Sequence, residues 1–225
     1  MSDPEVVLIG GGGHGAELCS YFADLIAAGW KGRLLGVLDD GKPAGPWLDS
    51  QILGPLATLP RLLAERPERR IGYLTAVGGN ELRRKLVEQI EALGGEAIFP
   101  WTLRYPDARA GRRVEIGAGT LLAPGTIVTT RVTIGRHCIL NVKASVSHDC
   151  AIGDYVNVNP GVTICGTCRI GEGCFIGAGA TVINGISIGE WTVVGAGAVV
   201  VRDLPPRVTA VGVPARIIKK HANNE

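Results

Sequence analysis

The chain has 225 residues, 46% of them hydrophobic, which is ample material for one large or two modest cores. Aromatics make up only 5%, so Val, Ile, Leu and Ala must do the packing, and 33 glycines mark many tight or left-handed backbone positions. A net charge of +2 argues against a dedicated nucleic-acid surface, and no apolar run is long enough to span a membrane.

The start, MSDPEVVLIGGGG, lacks the basic segment and cleavage pattern of a secretion signal, which predicts a cytoplasmic protein with reduced thiols. EVVLIG is a short apolar run ending in glycines. AELCSYFADLIAAG has helical spacing and a Gly stop. GRLLGVLDD reads as a second strand ending in two acids, and LATLPRLLAERPER as a broken helix limited by Pro60 and Pro67. IGYLTAVGG is a third strand. NELRRKLVEQIEALGG begins with an Asn cap and ends in Gly, and EAIFP is a fourth strand. Residues 1–100 are therefore expected to form a small parallel α/β domain, followed by a linker at 101–113.

From residue 114 the grammar changes. Steps of six from Ile116 give Leu122, Val128, Ile134, Leu140, Val146, Ile152, Val158, Ile164, Ile170, Ile176, Val182, Ile188, Val194 and Val200, all aliphatic. This is a hexapeptide repeat, the signature of a parallel β-helix. Ile-Gly recurs at 116, 134, 152, 170 and 188, so three hexapeptides make a coil. About five coils over 114–204, at roughly 4.8 Å each, give a prism ~24 Å tall, with 205–225 as an extension. Cys138, Cys150, Cys168 and Cys174 fall two residues before an aliphatic position and read as small inward fillers. Cys165-Gly-Thr-Cys168 resembles a redox or zinc motif, but no second ligand pair exists and no metal site is expected.

Three features could carry chemistry. GGGGHG (Gly10 to Gly15) follows a strand and opens a helix, so its N–H groups could meet a phosphate; a turn that binds nothing is the alternative. About four strands precede the repeat, too few for a dinucleotide fold but enough for one nucleotide, such as that of an activated sugar. Gly13, Asp39, Asp40 and Gly78 would converge at the strand C-termini. His148 falls at a corner of the repeat, pointing outward, with Gly166 one coil away. Glycine there would leave open space and an N–H beside the imidazole, which suits acyl transfer. Asp149 could orient the imidazole. A solvated polar corner is the alternative. Pro160, Ala178 and Ala196, eighteen apart, form a smooth stripe suited to a long ligand or to corner packing alone.

GGGGHG, the DD pair, AVGGNELRRK, LNVKASVSHDCAIGD and VGVPARIIKK together resemble the NeuD/PglD-type bacterial sugar acetyltransferases over nearly the whole chain. The resemblance implies a Rossmann-like α/β domain followed by a left-handed parallel β-helix. It implies a homotrimer with acetyl-CoA in the cleft between neighbouring β-helices, and a nucleotide-sugar substrate. It makes His148 the general base and Asp149 its partner, with Asn141 in the same pocket. Gly12, Gly13, His14, Asp39, Asp40 and Gly78 match nucleotide-sugar positions, and Gly166, Ala178 and Ala196 match acetyl-CoA positions. Asn157 stands where the family often has a second His near the thioester, and Asn cannot act as a base. With no cysteine expected to be exposed beside His148, direct N-acetylation of a nucleotide-linked amino sugar is expected. The rivals are O-acetylation of sialic acid or a related sugar, a non-catalytic hexapeptide scaffold, and, more distantly, an NAD(H) dehydrogenase.

Overall fold

The computed structural model describes residues 4–222, which form two compact units that divide between Thr102 and Leu103. In the first, β1 (Glu5–Ile9), β2 (Arg33–Leu38), β3 (Gly45–Trp47), β4 (Ser50–Gly54), β5 (Ile71–Thr75) and β6 (Ile98–Pro100) form a sheet of order β3-β4-β2-β1-β5-β6. All pairs are parallel except β3 with β4. Val6, Val7 and Leu8 are fully buried, which is why β1 reads as an unbroken apolar run. The helices are α1 (Gly13–Ala27), α2 (Leu59–Ala64, entered through a 3-10 turn at Leu56–Thr58) and α3 (Asn80–Gly94). Leu18 and Phe22 of α1 and Val87 and Ile90 of α3 are buried, and Phe22 packs between Trp30 and Trp101 at 5.5 and 5.3 Å.

Two local expectations change. The cap position of α3 is Gly79, with Asn80 the first helical residue and no side-chain cap bond. The β3–β4 hairpin was not anticipated, because GPW is short and opens on Gly and Pro, which strand patterns discount.

The second unit is a left-handed β-helix with three walls. The first wall contains Ile139–Leu140, Asn157–Val158 and Phe175–Ile176; the second Ser145–Val146, Thr163–Ile164 and Thr181–Val182; the third Ala151–Ile152, Arg169–Ile170 and Ser187–Ile188. Each strand pairs with the one eighteen residues on, as in Val146↔Ile164 and Ile152↔Ile170. From Leu122 to Val200 every sixth residue is 3% exposed or less, as are the four filler cysteines. Strands Leu103–Arg104 and Arg109–Ala110 pair with Leu121–Leu122 and Ile127–Val128, so the expected linker holds the opening strands of the β-helix. At the far end Val208–Val211 prolongs the first wall and turns back into antiparallel Arg216–Lys220, so the expected extension is part of the same sheet.

The Ile-Gly doublets have a steric cause. A Cβ on Gly153 would lie 2.7 Å from the Glu172 backbone nitrogen, and one on Gly171 2.6 Å from that of Glu190. At this edge the backbones of successive coils are nearly in contact, and no side chain fits between them. Gly171→Ala is expected to cost about 1–3 kcal/mol through overpacking, read from urea denaturation; an unchanged midpoint would refute the close approach.

Candidate active site

In the first unit, chain connections leave β1 toward β2 and β5 toward β6, in opposite directions, which opens a crevice at the C-terminal ends of β1 and β5. Gly10, Asp39, Asp40, Val77 and Leu82 line a cavity of about 240 Å³ there. Added Cβ atoms at Gly12, Gly13 and Gly78 would meet nothing within 4 Å, so a ligand can approach this backbone closely. Gly12 precedes α1, whose first N–H groups point out of the helix end.

The acids brace this loop. Asp39 accepts from the Gly11 N–H at 2.6 Å and the Gly41 N–H at 2.9 Å, and Asp40 accepts from the Leu56 N–H at 2.7 Å. A carboxylate has about four acceptor sites, so both retain capacity for a ligand. His14 Nδ1 lies 2.9 Å from Glu17, while its enclosed Nε2 has no partner among the described residues. Arg83, fully buried, donates to the Val77 carbonyl at 3.0 Å and so holds the loop that carries Gly78. The sequence reading missed Lys42 and Trp47. The Lys42 stem lies 3.1 Å from the Cβ position of Gly11, and its ammonium sits 5.9 Å from the Trp47 ring. Asp39→Ala removes two loop acceptors. It should speed hydrogen exchange at the Gly11 and Gly41 amides, since a charged hydrogen bond contributes about 1.5–3 kcal/mol.

In the second unit, His148 lies at the edge between the second and third walls with its side chain 51% exposed, and its Nδ1 is 2.7 Å from Asp149 Oδ2. Asp149 occupies a left-handed position, φ 62°. Asp is among the few residue types that tolerate this, which suits it to the tight edge. Arg131, one coil below, grips the same carboxylate with both arms: Nε to Oδ1 at 2.6 Å and Nη2 to Oδ2 at 2.8 Å. These contacts, Arg131 first and His148 second, hold the Asp149 carboxyl well below the usual carboxylate range. Asp149 therefore stays ionised in mild acid. What it adds to folding is fully present above about pH 4 and is lost only as pH falls toward its lowered native value. An ionised carboxylate only accepts, so Nδ1 carries a proton, and in the neutral ring the lone pair is therefore on Nε2. Arg131 was overlooked, although its place eighteen residues before Asp149 was a readable signal.

Gly166 differs from expectation. The imidazole itself fills the space beneath it: a Cβ on Gly166 would lie 2.6 Å from Cε1 and 2.7 Å from Nε2 of His148. Gly166 is buried, and among the described residues its N–H reaches no backbone carbonyl. Gly166→Ala should therefore fold normally but push the ring off its seat, lowering kcat roughly 10- to 100-fold. Wild-type turnover in that variant would mean the seat does not matter.

The remaining candidates lie elsewhere on the prism. Ala178 and Ala196 are exposed at the edge between the first and second walls, where Gly179 N–H to Pro160 O at 2.9 Å and Gly197 N–H to Ala178 O at 2.8 Å stack the stripe coil upon coil. Asn141 is at this same edge, its Oδ1 accepting from the Val142 N–H at 2.7 Å. The second wall thus separates the stripe and Asn141 from His148 within one chain. Asn157, expected as a cofactor contact, is on the first wall and only 2% exposed. Cys165 is partly exposed next to Gly166, contrary to the reading that no exposed cysteine lies near His148. A cleft of about 760 Å³ along the third wall, including Ala151, Arg169, Ser187 and Leu204, contains none of the expected site residues. Among the described residues no cluster of metal-ligating side chains forms.

Comparison with known proteins agrees with both halves. Residues 5–90 match the family "PglD N-terminal domain", and residues 167–202 match "Bacterial transferase hexapeptide (six repeats)". A histidine-to-asparagine variant of perosamine N-acetyltransferase from Caulobacter crescentus, in complex with CoA and GDP-perosamine, is 33% identical; the match covers 97% of this chain and 99% of that one, TM-score 0.84. The acetyltransferase domain of PglB from Neisseria gonorrhoeae FA1090, in complex with acetyl coenzyme A, is 30% identical over 96% and 100% of the two chains, TM-score 0.83. UDP-N-acetylbacillosamine N-acetyltransferase of Bacillus subtilis (strain 168) is 39% identical over 117 residues, 52% of this chain and 50% of that protein, so the match spans about half of this curated relative. An α/β domain followed by a hexapeptide β-helix, matched over nearly the whole chain, places it by class among the hexapeptide transferases. The chain belongs to the NeuD/PglD-type family of bacterial sugar acetyltransferases.

Proposed function

We propose that the chain transfers the acetyl group of acetyl-CoA to the amino group of a nucleotide-linked amino sugar, such as a 4-amino-4,6-dideoxyhexose, with His148 as general base. The observation that carries this reading is the outward-facing dyad, His148 Nδ1 bonded at 2.7 Å to an ionised Asp149, with Nε2 left as the basic nitrogen. The sugar amine attacks the thioester carbonyl, a C–N bond forms and the C–S bond breaks. Nε2 takes the amine proton, and CoA leaves as the thiolate. Asp149 stabilises the resulting imidazolium. The open backbone at Gly12, Gly13 and Gly78, with Asp39, Asp40 and His14, is where the nucleotide part is expected to bind. Ala178 and Ala196, with Asn141 nearby, are the proposed acetyl-CoA edge.

The C. crescentus relative holds CoA with GDP-perosamine and the N. gonorrhoeae domain holds acetyl-CoA, which favours an amine acceptor over a sialic-acid hydroxyl. Because the second wall separates the stripe from His148, one edge of a chain would meet the other edge of a neighbour, as in a homotrimer; sedimentation velocity reads this directly. A cytoplasmic location fits the acetyl-CoA supply, and no helix among the described residues is long and apolar enough to cross a membrane.

Thiol release from acetyl-CoA, with GDP-, UDP- and dTDP-linked amino sugars and free sialic acid as acceptors, tests the reaction. His148→Ala should lose about 10²–10⁴-fold in kcat and keep its CoA affinity. Wild-type turnover there would sink the base assignment. Cys165→Ser should keep full activity, and its inactivity would point instead to an acyl-cysteine.

A further inference from the structure

We propose that Arg131 is a positioning residue for acetyl transfer: it acts through Asp149 to fix the tautomer and aim of His148. The inference rests on the reading of His148 as the base. Asp149 is a short side chain on an exposed edge, 34% accessible. The Arg131 fork binds both oxygens, at 2.6 and 2.8 Å, and so sets the plane of the carboxylate. Oδ2 is shared between Arg131 Nη2 and His148 Nδ1. Rotation of an unclamped Asp149 would carry Oδ2 away from Nδ1, and the imidazole would be free to change tautomer or swing off Gly166. Arg131 is itself held, because its N–H donates to the Arg112 carbonyl at 3.2 Å and its backbone, φ 53°, repeats the left-handed turn of Asp149 one coil below.

Charge gives Arg131 a second effect of opposite sign. Asp149 favours the imidazolium, and a cation on the same carboxylate tempers that. The groups around His148 are Thr130 and Arg131 in the coil below, Asp149 and Cys150 in its own coil, and Cys165, Gly166, Thr167 and Cys168 in the coil above. Arg131 and Asp149 are the charged members of this set. Removing Arg131 therefore takes one cation from beside the imidazolium and makes the base easier to protonate. The acid limb of the pH–rate profile then moves to higher pH, and less in high salt.

The test uses the full chain with Arg131→Met and Arg131→Lys. For Arg131→Met, kcat should fall roughly 10- to 100-fold, KM for acetyl-CoA should stay within about twofold, and the acid limb should rise. Arg131→Lys keeps the charge but not the fork, so its acid limb should stay at the wild-type position while kcat recovers only in part. In an Asp149→Asn background, Arg131→Met should change kcat by less than about twofold, because the carboxylate it acts through is gone. A readout independent of turnover is the ¹⁵N NMR signature of the His148 ring, assigned by its loss in His148→Gln. The Nδ1–H tautomer should dominate in the wild type and decline in Arg131→Met. A wild-type tautomer together with wild-type kcat in Arg131→Met overturns the proposal, and so does an equal loss of kcat in the Asp149→Asn background. Full turnover in His148→Ala would overturn the base reading beneath it, while the tautomer measurement would still decide what Arg131 does to the ring.

Discussion

The β-helix depends on one constraint: the strands of each coil must pair with those of the next at a constant register of eighteen residues. Bonds such as Ser147 N–H to Ile164 O and Gly153 N–H to Ile170 O, at 2.9 and 2.8 Å, fix that register. Once it is fixed, side chains eighteen apart are neighbours at about 4.8 Å spacing, whatever their chemistry. The core aliphatics stack inward on this rule, and the Ile-Gly glycines stack backbone on backbone. Arg131 under Asp149 and His148 under Gly166 use the same rule at the outer surface. The dyad is therefore placed by the ladder that holds the fold together. This lets an exposed histidine on a short edge keep a defined position.

The same rule decides what could be read without coordinates. The inward positions, the filler cysteines and the stacking of Gly166 on His148 follow from counting. The ends of the helix do not. In the opening coil the register positions are Arg104 and Ala110, which break the aliphatic run, and Arg104 instead turns outward and donates to the Ala108 carbonyl at 2.9 Å. After Pro205 and Pro206 the offset changes, with Val194 pairing to Ala210, so counting by six fails there too. In the α/β unit, local runs revealed β1, α1, β2, β5 and α3. The hairpin of Gly45–Trp47 with Ser50–Gly54 is defined by pairing that a three-residue strand does not advertise. The bracing of the glycine loop by Asp39 spans 28 residues of sequence, and no local pattern encodes such a contact.

Glycine is used in three distinct ways, and only coordinates separate them. Gly153 and Gly171 exclude a side chain because another backbone is there. Gly166 excludes one because the His148 ring is there. Gly12, Gly13 and Gly78 face open space. The first is close backbone packing, the second seats an imidazole, and the third leaves open space. A sequence motif marks all three with one letter, so GGGGHG alone could not be told from an idle turn. Asp39, accepting from the Gly11 and Gly41 N–H groups, shows that contacts as well as glycine content shape the loop.

The electrostatics of the edge follow from the same geometry. An exposed Asp–His pair in water would gain little from attraction alone, since surface ion pairs contribute about 0–1 kcal/mol. What the pair gains from Arg131 is direction. A carboxylate held by two guanidinium bonds has few orientations left, and the one that remains presents Oδ2 to Nδ1. Because that carboxylate stays ionised, it can only accept, and the imidazole proton is confined to Nδ1. The basic nitrogen is then Nε2, on the ring edge seated against Gly166. Fold register, left-handed edge and fixed tautomer thus form one chain of causes, and each link is a named residue eighteen places from its partner or adjacent to it.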